Sequence, residues 1–393
     1  MISSKYISLL HENQTPFYFY NMELLQTTLA AVKHAADSRN YVIHYAVKAN
    51  ANERILKTIA SYGFGADCVS GNEVKAALSA GFSPRDIVFA GVGKSDQEID
   101  YALRKNIFCF HCESVQELEV INRIAGIQGK RALVALRINP DVSANTHAHI
   151  TTGTRGNKFG LSPTELDQAL GLIPSLNNLR LIGFHFHIGS QITNMEVFEQ
   201  LAHRINELQA QFFANIPMPY LNVGGGLGVN YTNPEEQPIP NFEEYFSTFH
   251  SNLKLPMGQR VHFELGRSVV AQCGCLVTKV LYVKGDELKK FVVVDAGMND
   301  LIRPALYNAV HKIVNISSHS TPEYYDVVGP ICETTDCFAH DIQLPETVRG
   351  DLLTILSAGA YGEVMSSRYN LREKPLAVYS TSIKEVYNKV GLT

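Results

Sequence analysis

The sequence has no apolar run near the roughly 18 residues that a membrane span requires. It has no basic excess either. Its 34 Lys and Arg stand against 38 Asp and Glu, a net charge of −4, which counts against a nucleic-acid footprint. The N-terminal stretch MISSKYISLLHENQTPFYFY carries one Lys and too short an apolar segment for a signal peptide, so a cytoplasmic protein without membrane attachment is expected. Cysteine is sparse: seven residues over a long chain do not make a disulfide framework. Cys109 and Cys112 form a CxxC and Cys273 and Cys275 a CxC, but no second Cys or His pair follows at zinc spacing. Buried free thiols are expected there, and no metal. Internal repeats and low-complexity linkers are also missing.

What is present is the composition of an ordinary globular chain, 45% hydrophobic and 18% charged, enough apolar surface for a sizeable core. The length of 393 residues fits two or three domains, or one large barrel with a smaller partner. Short β-branched or aromatic runs at 41–47, 64–69, 87–91, 107–111, 133–138, 181–188, 220–224 and 260–265 read as strands. Helical spacing fills the intervals at 53–60, 71–80, 95–105, 113–125, 162–172, 195–213 and 242–253, and another helix, 22–36, precedes the first strand. In 113–125 the apolar set is Val115, Leu118, Val120, Ile121 and Ile124. Ser114 with Glu117, and Ser162 with Glu165 behind Pro163, fit capping boxes.

Continuous rather than alternating apolar strands suit a parallel sheet buried on both faces. Eight such units in about 250 residues are the size of a (β/α)8 TIM-like barrel, and an open doubly wound sheet is the alternative. After about residue 270 strand-like runs at 276–283, 290–295, 324–328, 352–357 and 376–380 follow with few helices between them. They predict a mostly antiparallel β-sandwich or β-barrel domain, which Phe17–Tyr20 can join. The expected division is 22–270 for the barrel and 271–393, with 1–21, for the β domain. The polar stretch 140–158 is a candidate flap.

In such a barrel catalytic groups collect at the C-terminal strand ends. Lys48 ends the first strand in YAVKAN. A Lys directly after buried apolar residues is either snorkelling or salt-bridged, or it is a desolvated amine suited to Schiff-base chemistry. The run VGGGLG ends the seventh strand, and three glycines let backbone N–H groups approach a phosphate. No GxGxxG opens a helix, so nicotinamide binding is not expected. FHFHIGSQ ends the sixth strand: His187 is either a core histidine or a ring that stacks on a flat cofactor while Ser190 takes a phosphate oxygen. FELGR ends the eighth, where Glu264 either pairs with a protonated ring nitrogen or simply with Arg267. The later segments LIRPALY, GPICETTD and AGAYGEVMSSRYN set further polar groups in apolar or Gly-rich context.

Taken in order, YAVKAN, HFHIGSQ, GGGLG, ELGR, LIRPALY, GPICE and GAYG resemble the barrel-type pyridoxal-phosphate decarboxylases of amino acids, most closely those acting on diaminopimelate. The resemblance runs from about residue 15 to about residue 385. It implies pyridoxal 5′-phosphate as cofactor and a homodimer with shared active sites. By position, Lys48 resembles the lysine that bonds the cofactor, and Asp67 part of its polar surroundings. His187 resembles the ring-stacking residue, and Ser190, Gly224, Gly225 and Gly226 the phosphate cradle. Glu264 resembles the pyridine-nitrogen partner. Gly266 and Arg267 resemble phosphate and substrate contacts, Arg303 and Tyr307 binders of the substrate's far end. Cys332 resembles the proton donor, Glu333 a substrate ligand and Tyr361 a contact to both cofactor and substrate, these three near the other subunit's Lys48. The family often reads CESGD and EPGR where this chain has CETTD and ELGR.

Charge then narrows the substrate. Lysine or ornithine offers only an ammonium at its far end, which repels an Arg. Diaminopimelate offers a carboxylate as well, which Arg303 can hold in bidentate fashion, with Glu333 on the ammonium. The expected reaction is meso-2,6-diaminopimelate to L-lysine and CO2, the last step of lysine biosynthesis. A decarboxylase of ornithine, lysine, arginine or a carboxylated polyamine, an amino-acid racemase, and a non-catalytic cofactor carrier are the alternatives.

Overall fold

The computed structural model describes residues 6, 10, 12–142, 158–213, 218–286 and 288–380. Most of the proposed flap, 143–157, lies outside the described residues. The chain separates into two compact units. One consists of Leu29–Gly228 and Asn241–Gly266; the other of residues up to Thr28, Val229–Pro240 and the chain from Arg267 onward. No described helix is long and apolar enough to cross a membrane.

The first unit is a closed barrel, not an open sheet. Its eight strands are Val42–Ala46, Gly65–Cys68, Ile87–Phe89, Cys109–Cys112, Ala132–Arg137, Leu179–His185, Tyr220–Asn222 and Arg260–Leu265. Each pairs in parallel with the next, and the eighth pairs with the first. The strands bury nearly every residue, which is why they read as continuous apolar runs. Val88, Cys109, Ala135, Ile182 and Tyr220, one from each of five consecutive strands, make a buried cluster.

Helices cover the outside by one face each. In Glu53–Ser61 the buried residues are Ile55, Leu56 and Ile59. In Val115–Ile127 they are Leu118, Ile121, Ile124 and Ala125, so Val115 and Val120 fall off the stripe that the sequence suggested. The caps also differ from expectation. Ser162 and Glu165 form a full box behind Pro163. Ser114 does accept from the Glu117 amide, but the Glu117 side chain reaches past it to the Glu113 amide and to Lys94. A second full box, Ser95 with Glu98, starts the helix Asp96–Lys105.

The second unit is built on one eight-stranded, mostly antiparallel sheet. Its long strand Gly274–Gly285 pairs with Phe17–Tyr20, Leu352–Ile355 and Lys290–Val294. Two pairings are parallel, Phe17–Tyr20 with Leu376–Tyr379 and Lys290–Val294 with Pro322–Val328. Strand alternation sends Phe17 and Phe19 into a core with Cys275, Val277, Leu352 and Leu356. Tyr18 and Tyr20 face the other way and donate to the Asp300 carbonyl and to Glu363. Two strands had no counterpart in the sequence reading, Ile313–Asn315 and Cys337–Pro345. They are the two ends of the main strand order. An edge strand is only partly covered and needs little apolar sequence.

Candidate active site

The C-terminal strand ends of the barrel gather nine of the residues that the sequence singled out. Lys48 sits in a single 3-10 turn, Val47–Ala49, directly after the first strand. Its Nζ lies 2.8 Å from Oδ2 of Asp67 on the second strand. The turn is fixed by a close approach: a Cβ on Gly266 would stand 2.9 Å from the Ala49 Cβ and 3.1 Å from that of Ala46. Asp67 is fully buried, and its Oδ1 has no hydrogen-bond partner among the described residues. Desolvation and the nearby Glu264 charge raise the Asp67 pKa against the pull of Lys48.

The glycine run follows the seventh strand in a conformation that only glycine fits. Gly224 has φ +74° and Gly226 φ +101°. A Cβ on Gly225 would lie 1.9 Å from the Glu264 carbonyl oxygen. The Ser190 loop is stitched to this run by Ile192 N–H to Gly226 O and Gly228 N–H to Ile192 O, each 2.9 Å. His187 precedes that loop. Its Nδ1 accepts from the Gly225 amide at 3.4 Å. Burial, with Arg137 and Lys48 nearby, holds the imidazole pKa well below its ordinary value, so the ring is neutral and suited to stacking.

Glu264 ends the set from the eighth strand. Its Oε2 lies 3.0 Å from His185 Nε2, and its Oε1 2.8 Å from Asn222 Nδ2 and 3.3 Å from His111 Nδ1. Burial pushes its pKa up, but the two histidines prevail and hold it well below the carboxylate range. Burial pulls the His185 pKa down to about 3, so His185 is a neutral donor. A fully buried carboxylate is thus ionised without a Lys or Arg partner among the described residues. Such a charge is expensive to bury unpaired, and a cationic ring nitrogen is the partner that would complete it.

One acid beside Lys48 gives a testable pH dependence. Glu73 accepts from the Val69 amide at 2.7 Å. Desolvation raises its pKa to about 7, although Lys48 pulls the other way. The folded state therefore binds more protons than the unfolded state between about 4.5 and about 7. Stability from this group is fully present below that window and falls as pH rises through it, by at most about 1.4 kcal/mol per pH unit. Glu73→Gln should flatten that part of a pH series of denaturation midpoints; an unchanged slope would remove Glu73 as its source.

The two arginines that the sequence singled out belong to the second unit. Arg267 and Arg303 are both buried, at 6% and 5% exposure. Arg267 donates to Tyr231 Oη at 2.6 Å and lies 4.9 Å above the Tyr361 ring. Arg303 opens the short helix Arg303–Tyr307 and lies 4.6 Å above the Tyr231 ring. Its Nη1 faces His311 Nε2 at 2.8 Å, and His311 Nδ1 faces the Leu356 carbonyl at 2.8 Å. That carbonyl takes the ring proton, so Nε2 is the acceptor for Arg303. Burial and the arginine hold the His311 pKa at about 3. Arg303 therefore has only neutral partners among the described residues, and its Nε has none. Tyr307 lies close enough to act electrostatically on Arg267.

Cys332 and Glu333 also belong to the second unit. Both are exposed, and Glu333 accepts from Tyr369 Oη. Their loop is held by Asp336, whose carboxylate accepts from the amides of Ile331 and Met298, each at 2.6 Å. The sequence reading missed Asp336 as well as Tyr231, His311, His111, His185, Tyr220 and Asn222. Tyr220 and Asn222 follow a legible signal: polar residues two apart in a barrel strand share one face.

Comparison with known proteins fits this donor set. The family model described as the pyridoxal-binding domain of pyridoxal-dependent decarboxylases matches residues 23–271. A diaminopimelate decarboxylase of Bacteroides thetaiotaomicron is 54% identical over 92% of this chain and 94% of its own. Another, from Aquifex aeolicus, is 40% identical over 93% and 86%. The structure of the Helicobacter pylori diaminopimelate decarboxylase complexed with L-lysine superposes with a TM-score of 0.90 at 38% identity, covering 98% of this chain and 99% of that one. The class is that of the barrel-type, pyridoxal-dependent carboxy-lyases. Within it, the chain belongs to the diaminopimelate decarboxylase family.

Proposed function

We propose that the chain converts meso-2,6-diaminopimelate to L-lysine and CO2 with pyridoxal 5′-phosphate. The observation that carries the substrate reading is Arg303, a buried guanidinium without a carboxylate partner among the described residues. A substrate carboxylate completes it; the ammonium of lysine or ornithine does not. Lysine bound to the H. pylori relative agrees with this, since lysine retains one carboxylate.

The coenzyme suits the barrel residues. Lys48, whose amine sits at the end of the first barrel strand beside Asp67, would hold its aldehyde. The turn of Gly224, Gly225 and Gly226, with Ser190 and Gly266, would hold its phosphate; no side chain fits at Gly225, where a Cβ would stand 1.9 Å from the Glu264 carbonyl oxygen. His187 would stack on its ring, Asp67 would add polar surroundings, and Glu264 would keep a proton on the ring nitrogen. When bound, the coenzyme supplies an electron sink for the charge left at Cα as CO2 departs.

Arg267 holds the phosphate and the substrate. Arg303 and Tyr307 hold the far carboxylate, and Glu333 the far ammonium. Cys332 delivers a proton to Cα, and Tyr361 touches both coenzyme and substrate. The exposure of Cys332 and Glu333 in a single chain favours their service in the active site of a second copy, in a homodimer with shared sites.

The test is to incubate the purified protein with pyridoxal phosphate and meso-diaminopimelate and follow products. Equimolar CO2 and lysine are expected. Preferential release of CO2 from lysine or ornithine overturns the assignment.

A further inference from the structure

Beneath Glu264 a chain of hydrogen bonds runs from the Gly224 amide to His111 Nε2, and its direction can be assigned link by link. It starts at the glycine run. The Gly224 amide donates to Asn222 Oδ1 at 2.8 Å, which fixes the orientation of that side-chain amide. Asn222 Nδ2 therefore donates, at 2.9 Å to Tyr220 Oη and at 2.8 Å to Glu264 Oε1. Burial keeps the Tyr220 phenol protonated by raising its pKa far above the ordinary value. With its oxygen already accepting from Asn222, the phenol proton turns to His111 Nε2, 2.8 Å away. That leaves the His111 proton on Nδ1, which faces Glu264 Oε1 at 3.3 Å. His185 donates to the other oxygen, and its ring stacks on that of His111 at 4.1 Å.

We propose that Tyr220 and His111 are positioning residues that act through Glu264: by locking the His111 tautomer they present the carboxylate with donors only, so that it stays ionised and aimed at the ring nitrogen of the coenzyme. The proposal rests on the reading of Glu264 as the ring-nitrogen partner. The consequence follows from one rotatable proton. Without the phenol O–H, the His111 proton is free to move to Nε2, and a bare Nδ1 lone pair then faces a carboxylate oxygen. Lone pair against anion is repulsive, so Glu264 turns away or takes up a proton. In either case the ring nitrogen loses its partner. Besides His111, His185 and Tyr220, the titratable groups that feel Glu264 are Asp67, His44, His187, His262, Tyr245 and Cys109. Burial holds the three imidazoles of this group below their ordinary pKa and the phenol and thiol above theirs. Among these side chains the negative charge near Glu264 is that of Asp67, which is paired with Lys48.

The experiment loads the full-length protein with pyridoxal phosphate carrying 15N in the ring and follows the 15N shift with pH. The wild type is expected to hold the ring proton across the neutral range. Tyr220→Phe is expected to lower the ring-nitrogen titration by about one pH unit, tenfold in proton affinity, with kcat reduced and KM nearly unchanged. The decisive variant is the double substitution Tyr220→Phe with His111→Asn. The Asn side chain places an amide donor near the former Nδ1 and has no tautomer to lose, so ring protonation and kcat should both recover. Glu264→Gln serves as the reference. If it removes the ring proton while Tyr220→Phe leaves the titration in place, or if the double variant does no better than Tyr220→Phe, the locking proposal is wrong and Glu264 keeps its role. If Glu264→Gln leaves the ring protonated, the role of Glu264 fails, and the proposal with it.

Discussion

Lys48→Ala is expected to lower kcat/KM by on the order of 10³-fold or more and to remove the absorbance of amine-bonded coenzyme. Lys48 is also half of an ion pair with buried Asp67, so the alanine variant alone confounds lost chemistry with a stranded acid. Lys48→Arg separates the two. A guanidinium keeps a cation beside Asp67 but cannot bond an aldehyde, so the arginine variant should recover the denaturation midpoint and none of the activity. Spectra, CO2 release and thermal denaturation on the three proteins decide the matter. Normal turnover and a normal spectrum in Lys48→Ala would reduce Lys48 to a salt-bridged surface residue.

Arg303→Gln should raise KM for meso-diaminopimelate far more than it changes kcat. Removing one member of a buried, hydrogen-bonded charge pair costs about 2–5 kcal/mol, or roughly 30-fold to several thousand-fold in affinity. His311 and Tyr231 leave the guanidinium charge uncompensated, so the whole of that charge is available to the ligand. L-lysine, which keeps a carboxylate, should lose affinity as an inhibitor in parallel. Cadaverine, which has none, should not. Arg303→Lys retains charge but not the planar fork and should recover only part of the loss. An unchanged KM in Arg303→Gln, measured by initial-rate kinetics, removes Arg303 from the substrate site.

Elements were legible in proportion to how fully they are buried. The barrel strands are wrapped on both faces, and their apolar runs mark them to within a few residues; the strand read at 260–265 is Arg260–Leu265. The edge strand Cys337–Pro345 buries few of its residues, and its CFAHDIQLP carries no apolar run. The same logic applies to caps. Ser162 and Glu165 close on each other as read, whereas Glu117 is diverted by Lys94, a residue from another loop with only 1% exposure. Local spacing permits a contact, and a distant partner can outbid it.

By itself the sequence determined the class of fold and the chemical identity of the groups at the strand ends, because buried parallel strands impose continuous apolar runs and the strand-end motifs are short and contiguous. Only the tertiary structure decided which charges are left uncompensated. That Glu264 is ionised among neutral donors, and that Arg303 is buried beside a histidine rather than an acid, depends on residues from several strands and loops brought within 3 Å or so of one another. The physical reason is that desolvation and hydrogen bonding act over a few ångströms in space, and no spacing along one chain segment encodes them.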